Sequence, residues 1–392
     1  MQRENPQGQR SSSRGRQPAR NGQRRPAPAQ ASASRQALTP QQVAARKRAA
    51  QARRKKQRAA KRRRNVFRVL CMLGVGLVVY TLYGVLNGAV MGAQSGQEMP
   101  AQVRTPKELR NKVVNILVCG IDYEEGRQYG QNAGMTDVIL YVSYNLQANE
   151  VHILQIPRDT YIGQEYATGG TGKINAVCYK SEESNPIHTL AYLLHDQFQL
   201  TTDYYVTIDM QAFREVIDAI GGIDVYVPQQ IQLDGNIIHQ GLQTMDGSTA
   251  EFFVRYRGYA NADIARLDAQ RYFYKGLFNK LKTYPGTDVV KVLPAYIKYV
   301  ETNMTLSTVG RILMDIGELA PENIFIYKVP GEAATYGSYS VFSVHKDTLA
   351  QQLNNGFRPF TDDVPADALG VYELAHTVDY ISPEGQPLSG IE

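Results

Sequence analysis

Apolar and polar positions divide the chain into three regions. From Val69 to Met91 no residue is charged. At about 1.5 Å per residue this run can cross a hydrocarbon core of about 30 Å. It is too long for the apolar part of a signal peptide, and no small-residue cleavage site follows it. The plainer alternative is a buried core helix. Beyond residue 110, short apolar runs alternate with helical spacings. VVNILVCGID (113–122) reads as a buried strand ending in Gly and Asp, and DVILYVSYN (137–145), VHILQIP (151–157), YYVTIDM (204–210), IDVYVP (223–228) and NIFIYKVP (323–330) read as further strands. The spacing predicts helices over 188–200, over 211–222 with a closing Gly pair, and over 262–282. The last has Ile264, Leu267, Phe273, Leu277 and Leu281 near its apolar side. Two or three more helices are predicted over about 288–320, and an irregular tail from about Phe360. Strands alternating with helices predict a layered α/β domain.

Charge adds a direction to this layout. Residues 1–68 carry 21 Lys and Arg against one acid, Glu4, so this segment is strongly basic. The remaining residues hold 22 basic and 36 acidic side chains, so the net charge of +6 describes neither part. Residues 1–64 are rich in Gln, Arg, Ser, Pro and Ala and poor in large apolar side chains. They read as a disordered basic tail, because they cannot bury enough surface to offset their ordering entropy. Lys61–Arg64 and Arg68 flank the apolar run, so the positive-inside bias places the tail in the cytoplasm and residues after about Gly92 outside. The expected layout is a tail (1–64), a single transmembrane helix (66–91), a linker (92–110), an extracytoplasmic domain (112–358) and a C-terminal tail (359–392). The three cysteines, Cys71, Cys119 and Cys178, form no disulfide framework or zinc motif.

Four clusters carry candidate chemistry. Asp122 ends one apolar strand and Asp137 begins the next. Two strand-end carboxylates make a hard oxygen site suited to Mg²⁺, or they simply cap turns. Arg158, in IPRDT, follows a buried strand and a proline, where it could grip a phosphate or pair with Asp159. Arg255 and Arg257, in VRYR, would point to one face of a strand and favour an anion there. Asp263, Arg266 and Gln270 share one face of the predicted 262–282 helix, with Asp263 near its positive end; the plainer reading is an exposed polar stripe. Together the set suits a pyrophosphate held with a divalent metal, and no Ser–His or Cys-based nucleophile pattern accompanies it.

These motifs, with GKINAVC (172–178), DYYVTIDMQAFREVIDAIGGIDVYVP (203–228) and MDGSTAEFFVRYRGYANADIARLDAQRYF (245–273), resemble the LytR-CpsA-Psr family of cell-wall phosphotransferases over about residues 112–355. The resemblance implies a central mixed β-sheet sandwiched by helices. It implies transfer of an anionic glycopolymer, such as teichoic acid or capsule, from an undecaprenyl-diphosphate carrier onto peptidoglycan, with a pyrophosphatase side activity. Asp122 and Asp137 are then expected to hold Mg²⁺ or Mn²⁺. Arg158, Arg255, Arg257 and Arg266 are expected to clamp the pyrophosphate, with Gln270 as a polar contact. Asp263, together with Arg255 and Arg257, is expected to take part in catalysis, Asp263 by orienting the arginines or as base for the incoming hydroxyl. Met135 and Ala269 stand where the family usually has arginine, and Arg271, Arg127 or Lys173 could substitute. The expected location is the cell membrane, with the basic tail on anionic lipids and no specific nucleic-acid partner. Two other readings remain: a non-catalytic binder of the lipid-linked polymer, and a membrane-bound transcriptional attenuator acting through the tail.

Overall fold

The computed structural model describes residues 96–122, 134–233, 235–259, 262–283, 300–305, 308–309, 311–312, 315, 319–377 and 382–391. The expected basic tail, the 66–91 helix and residues 92–95 of the linker lie outside the described residues, as do Arg127 and most of 288–320. The chain divides into two units, 1–82 and 83–392, and every described residue belongs to the second. Among the described residues no helix is long and apolar enough to cross a membrane.

The domain opens with β1 (Val113–Asp122), β2 (Met135–Asn145) and β3 (Glu150–Ile156). The short α1 (Val177–Lys180) and α2 (Pro186–Phe198) lead to β4 (Tyr204–Asp209) and α3 (Met210–Ala219). Four short strands follow: β5 (Ile223–Val227), β6 (Ile231–Leu233), β7 (Asn236–Ile238) and β8 (Gly241–Met245). Then come α4 (Gly247–Arg255), α5 (Ala262–Thr283), β9 (Val300–Thr302), β10 (Ile324–Lys328), β11 (Gly331–Tyr336), β12 (Tyr339–Val344), α6 (Lys346–Gln352) and β13 (Gln386–Pro387). A seven-stranded sheet in the order β13-β10-β3-β2-β1-β4-β9 forms the centre. It is mixed: β1 runs parallel to β4 and β3 to β10, whereas the β1–β2, β2–β3, β4–β9 and β10–β13 pairs are antiparallel.

Alternation along β1 and β2 assigns the two faces of the sheet. Leu117, Cys119 and Ile121 on β1, with Ile139 and Tyr141 on β2, enter the core shared with Leu190, Leu194 and Phe198 of α2. Burying such side chains stabilises the fold by about 1.5–3 kcal/mol each. Asn185 caps α2 by accepting from the Ile187 amide, and Pro186 starts the helix with its preset φ. Ile116, Val118, Leu140 and Val142 point to the opposite face, beneath α5. A second core, with Val225, Phe253, Ala269 and Phe273, joins α5 to β5 and α4. α5 is therefore wedged between two cores, which the single apolar side predicted for it does not describe. At Gly276 the helix approaches β5 so closely that a Cβ would lie 2.4 Å from the Asp224 carbonyl oxygen.

One expectation changes. VRYR is not a strand: Arg255 is the last residue of α4, and Tyr256 turns extended after it (φ −60°, ψ 131°). Its carboxylate partner Glu251 lies four residues back on the same helix, and a cation in the last turn suits the helix dipole. The C-terminal residues are irregular, as expected, but they pack on the domain. Leu369, Val371, Leu388 and Ile391 are buried, and β13 adds an edge to the main sheet.

Candidate active site

The charged cluster forms where β1 and β2 end. Their register shifts between Gly120, opposite Val138, and Ile121, opposite Thr136, which leaves Asp137 as an extra residue in a β-bulge. Unbroken alternation would send Asp137 into the core with Ile139 and Tyr141. A bulge re-aims a side chain, and here it frees Asp137 to face arginines. The carboxylate is only 8% exposed; one oxygen accepts from Arg158 and the other lies 3.8 Å from Arg257. Asp122, opposite Met135 at the tip of β1, accepts from Arg255 at 2.8 Å. Gly134 makes this tip possible, because a Cβ there would stand 2.4 Å from Ile121 and 2.7 Å from the Asp122 carbonyl oxygen.

Arg158 projects from a pinned turn. Thr160 donates to the Pro157 carbonyl at 2.6 Å, and the Asn175 amide donates to the Arg158 carbonyl at 3.2 Å. Lys173 donates to Asp159 at 2.8 Å, and Asp159 lies 3.9 Å from Arg158. Arg255 is held by Glu251 at 2.9 Å as well as by Asp122. Burial works against its charge, but the Glu251 hydrogen bond and the Asp122, Glu251 and Asp137 carboxylates outweigh that and hold the guanidinium above its ordinary pKa. Arg266 and Gln270 are each only 2% exposed, so the polar stripe on α5 faces inward and not towards water. Gln270 donates to the Val254 carbonyl at 2.9 Å, tying α5 to the turn that bears Arg255 and Arg257. Gln155 donates to the Leu267 carbonyl at 2.9 Å and ties the same helix to β3.

The structure thus brings Asp122, Asp137, Arg158, Arg255 and Arg257 into one ion-pair cluster and seats Arg266 and Gln270 on the helix beside it. Asp263 begins α5, but its side chain lies outside the described residues. Of the suggested substitutes for the missing arginines, Arg271 turns elsewhere, donating to Gln386 at 2.6 Å and Gln155 at 3.3 Å. Glu251, Gly134 and Gln155 were not singled out in the sequence. Only Glu251 leaves a signal: Asp246 caps α4 through the Thr249 amide at 2.8 Å, and Glu251 and Arg255 follow at i,i+4 spacing.

A cavity of about 360 Å³ opens on the face of the sheet beneath α5. Its wall is apolar, with Val118 from β1, Leu140 from β2, and Leu277 and Phe278 from α5. The same three elements that carry Asp122, Asp137 and Arg266 at one end carry apolar side chains farther along. Tyr274 marks the border, lining the cavity and donating to Gln270 at 3.2 Å.

A mixed sheet that ends in an arginine–carboxylate cluster and covers an apolar cavity defines an α/β domain with a charged end and an apolar end. The chain belongs to the LytR_cpsA_psr family, whose pattern matches residues 79–358. Among curated relatives, the Bacillus subtilis polyisoprenyl-teichoic acid–peptidoglycan teichoic acid transferase TagU is 27% identical over 254 residues, 63% of this chain and 78% of the relative. TagU of Bacillus anthracis is 26% identical over 302 residues, 75% of this chain and 96% of the relative. The fold matches Streptococcus agalactiae gbs0355 at TM-score 0.53 and 21% identity, covering 70% of this chain and 92% of that one. It matches TagT bound to LIIa-WTA at TM-score 0.52 and 18% identity, covering 70% of this chain and 98% of that one.

Proposed function

We propose that this chain transfers an anionic glycopolymer from an undecaprenyl-diphosphate carrier onto peptidoglycan. The observation that carries the reading is the continuity from charged cluster to apolar cavity along β1, β2 and α5. Such a path matches a molecule with a diphosphate head and a polyprenyl tail. The curated relatives, named as polyisoprenyl-teichoic acid–peptidoglycan transferases, support the same substrate class. The 69–91 run would tether the domain beside the membrane that holds the carrier, with the basic tail on the cytoplasmic side.

In this reading the arginines now paired with Asp122 and Asp137 turn to the diphosphate. Arg158, Arg255 and Arg257 offer planar forks suited to phosphate oxygens, and Arg266 adds charge from α5. A sugar hydroxyl of peptidoglycan, the C6 hydroxyl of N-acetylmuramic acid in this family, attacks the phosphorus next to the polymer. A new P–O bond joins polymer and acceptor as a phosphodiester. The bond from that phosphorus to the bridging oxygen breaks, and polyprenyl phosphate leaves. The hydroxyl proton passes to a base, a role we assign to Asp263, one turn ahead of Arg266. With water as acceptor, the same step is a pyrophosphatase side reaction.

The donor set fits a divalent metal of the Mg²⁺ or Mn²⁺ type. Among the described residues no group of three or more His, Cys, Asp and Glu converges. Mg²⁺ commonly takes only one or two carboxylates and completes its shell with water and substrate phosphate. Asp122 and Asp137 would hold it, and it would neutralise charge on the diphosphate.

The test is transfer of a labelled polymer from a synthetic polyprenyl-diphosphate-linked glycan by the full-length chain. Polymer should appear on peptidoglycan together with free polyprenyl phosphate. A chain that binds the carrier but releases no polyprenyl phosphate would be a binder and not a transferase. Unchanged turnover in Arg255→Ala and Asp137→Ala would remove the site assignment.

A further inference from the structure

A second pocket, of about 290 Å³, lies on the other side of α5. Ala265, Asp268, Ala269 and Tyr272 line it, at i, i+3, i+4 and i+7, so one face of the helix forms its floor. Two small methyl side chains leave the space, and Tyr272 bounds it. Gln229, just beyond β5, and Tyr259, two residues past Arg257, complete the wall. Tyr259 joins the pocket to the segment that bears Arg257, while Arg266 and Gln270 lie on a different side of the same helix.

Its chemistry differs from that of the cluster. Lys328 donates to both oxygens of Asp268, at 2.9 and 3.0 Å, so the cation is already engaged. The Asp268 side chain is still 49% exposed, and a carboxylate has lone pairs left to accept from hydroxyls. Gln229 is exposed and offers both a donor and an acceptor. The Tyr259 hydroxyl is buried and has no hydrogen-bond partner among the described residues. A buried hydroxyl left unpaired is unfavourable, and a ligand hydroxyl in the pocket would relieve it. The ring of Tyr226, exposed on β5, lies 5.7 Å from that of Tyr272 at an interplanar angle of 41° and extends an aromatic surface outward.

We propose that this pocket is a subsite for one ring of an uncharged N-acetylated sugar chain, the acceptor glycan of the transfer reaction. Aromatic faces stack on the apolar faces of a pyranose, and a carboxylate and an amide take its hydroxyls and acetamido group. The volume of about 290 Å³ lies just below the range of drug-sized ligand pockets, about 300–1,000 Å³, and suits a single ring. None of the residues lining the pocket is Lys or Arg, and the Lys328–Asp268 pair carries no net charge, so the pocket offers a phosphate no cation of its own and leaves an anionic polymer to the arginines. The assignment of the sugar to the acceptor rests on the transferase reading; the binding itself does not.

The test uses the full-length chain in detergent, with a β-1,4-linked N-acetylglucosamine tetramer as the uncharged glycan and inorganic pyrophosphate as the reporter of the arginine cluster. The tetramer should bind, and Tyr272→Ala and Gln229→Ala should each weaken it about tenfold, the effect of losing one stacking or polar contact. Pyrophosphate affinity should stay within about twofold in both variants. Gln229 is exposed, so its variant remains informative if Tyr272→Ala loses stability. Equal tetramer affinity in wild type and both variants, or no tetramer binding, overturns the proposal. So does a Tyr272-dependent affinity for poly(glycerol phosphate) that exceeds that for the tetramer. Release of polyprenyl phosphate from the synthetic carrier is measured separately. If it fails while the tetramer binds through Tyr272 and Gln229, the transferase reading falls and the glycan subsite stands.

Discussion

The two ends of α5 face the same sheet with opposite chemistry. At its N-terminal end Arg266 and Gln270 are buried beside a cluster in which carboxylates and arginines pair with one another. At its C-terminal end Leu277, Phe278 and Leu281 cover a cavity lined by apolar side chains of β1 and β2. The charged end keeps its geometry through directional contacts, such as Gln270 to the Val254 carbonyl and Gln155 to the Leu267 carbonyl. The wall of the apolar end is mostly aliphatic, with Leu140, Val142, Leu277 and Leu281 among its side chains, so its shape is set mainly by side-chain volume. Specific geometry at the charged end and permissive shape at the apolar end is the division that the proposed lipid-linked diphosphate would require.

Asp137→Ala should separate the two ends most sharply. It removes the carboxylate that holds Arg158 and faces Arg257, leaving like charges together. Turnover on a synthetic polyprenyl-diphosphate glycan should fall by about 10²–10³, the usual loss when a preorganised charge contact goes. Binding of a plain polyprenyl alcohol should not change, and a matching loss there would merge the two ends into one unit.

Gly134→Ala acts on the charged end indirectly. The added Cβ collides with Ile121 and the Asp122 carbonyl, so Asp122 must move. A displacement of about 1 Å at such a site costs up to about 10²-fold in kcat/KM. Full activity in this variant would show that the position of Asp122 does not matter.

Leu277→Trp fills the other end. KM for a long polyprenyl carrier should rise about tenfold, within the range of hydrophobic-pocket discrimination, while a short, water-soluble diphosphate substrate should turn over as in wild type. Equal effects on long and short carriers would place the tail elsewhere.

The smallest effect is expected at the cap of α4. The Thr249 amide and hydroxyl hold the Asp246 carboxyl below its ordinary pKa. A lowered folded value means that this stabilisation is fully present above the unfolded pKa of about 3.9 and is lost as pH falls through the folded one. Asp246→Ala should cost about 1 kcal/mol at pH 7, read as a lower Tm, and progressively less as pH falls below the unfolded pKa of about 3.9. Turnover per folded molecule should drop only as far as Arg255 shifts with the helix end.

The sequence made the main sheet legible where burial imposes a pattern. VVNILVCGID coincides with β1 over residues 113–122, and helix α2 falls within two residues of its predicted span. The strand read at 223–228 appears as β5, and the Gly pair closes α3 with φ of 75° and 76°. Strands β6, β7, β8, β9, β11, β12 and β13 are not among the elements read from the sequence pattern; those of two to five residues carry too few positions to show a period. The spacing of two between its arginines makes VRYR resemble a strand; the Asp246 cap and the Glu251–Arg255 spacing, which make it a helix end, weigh more.

The sequence by itself determined the composition of the site. Asp122 ends one apolar strand, Asp137 lies near the start of the next, Arg158 follows Pro157 and Arg255 follows Val254. Only the tertiary structure decided their geometry. The bulge at Asp137 depends on a register between two strands, and the burial of Arg266 and Gln270 depends on a helix wedged between two cores. Such features follow from packing between segments distant in sequence, which a local pattern of apolar and polar residues does not encode. The same holds for the Tyr272 pocket, whose walls come from residues 228–229 and 259–272 and meet only when α5 lies against β5.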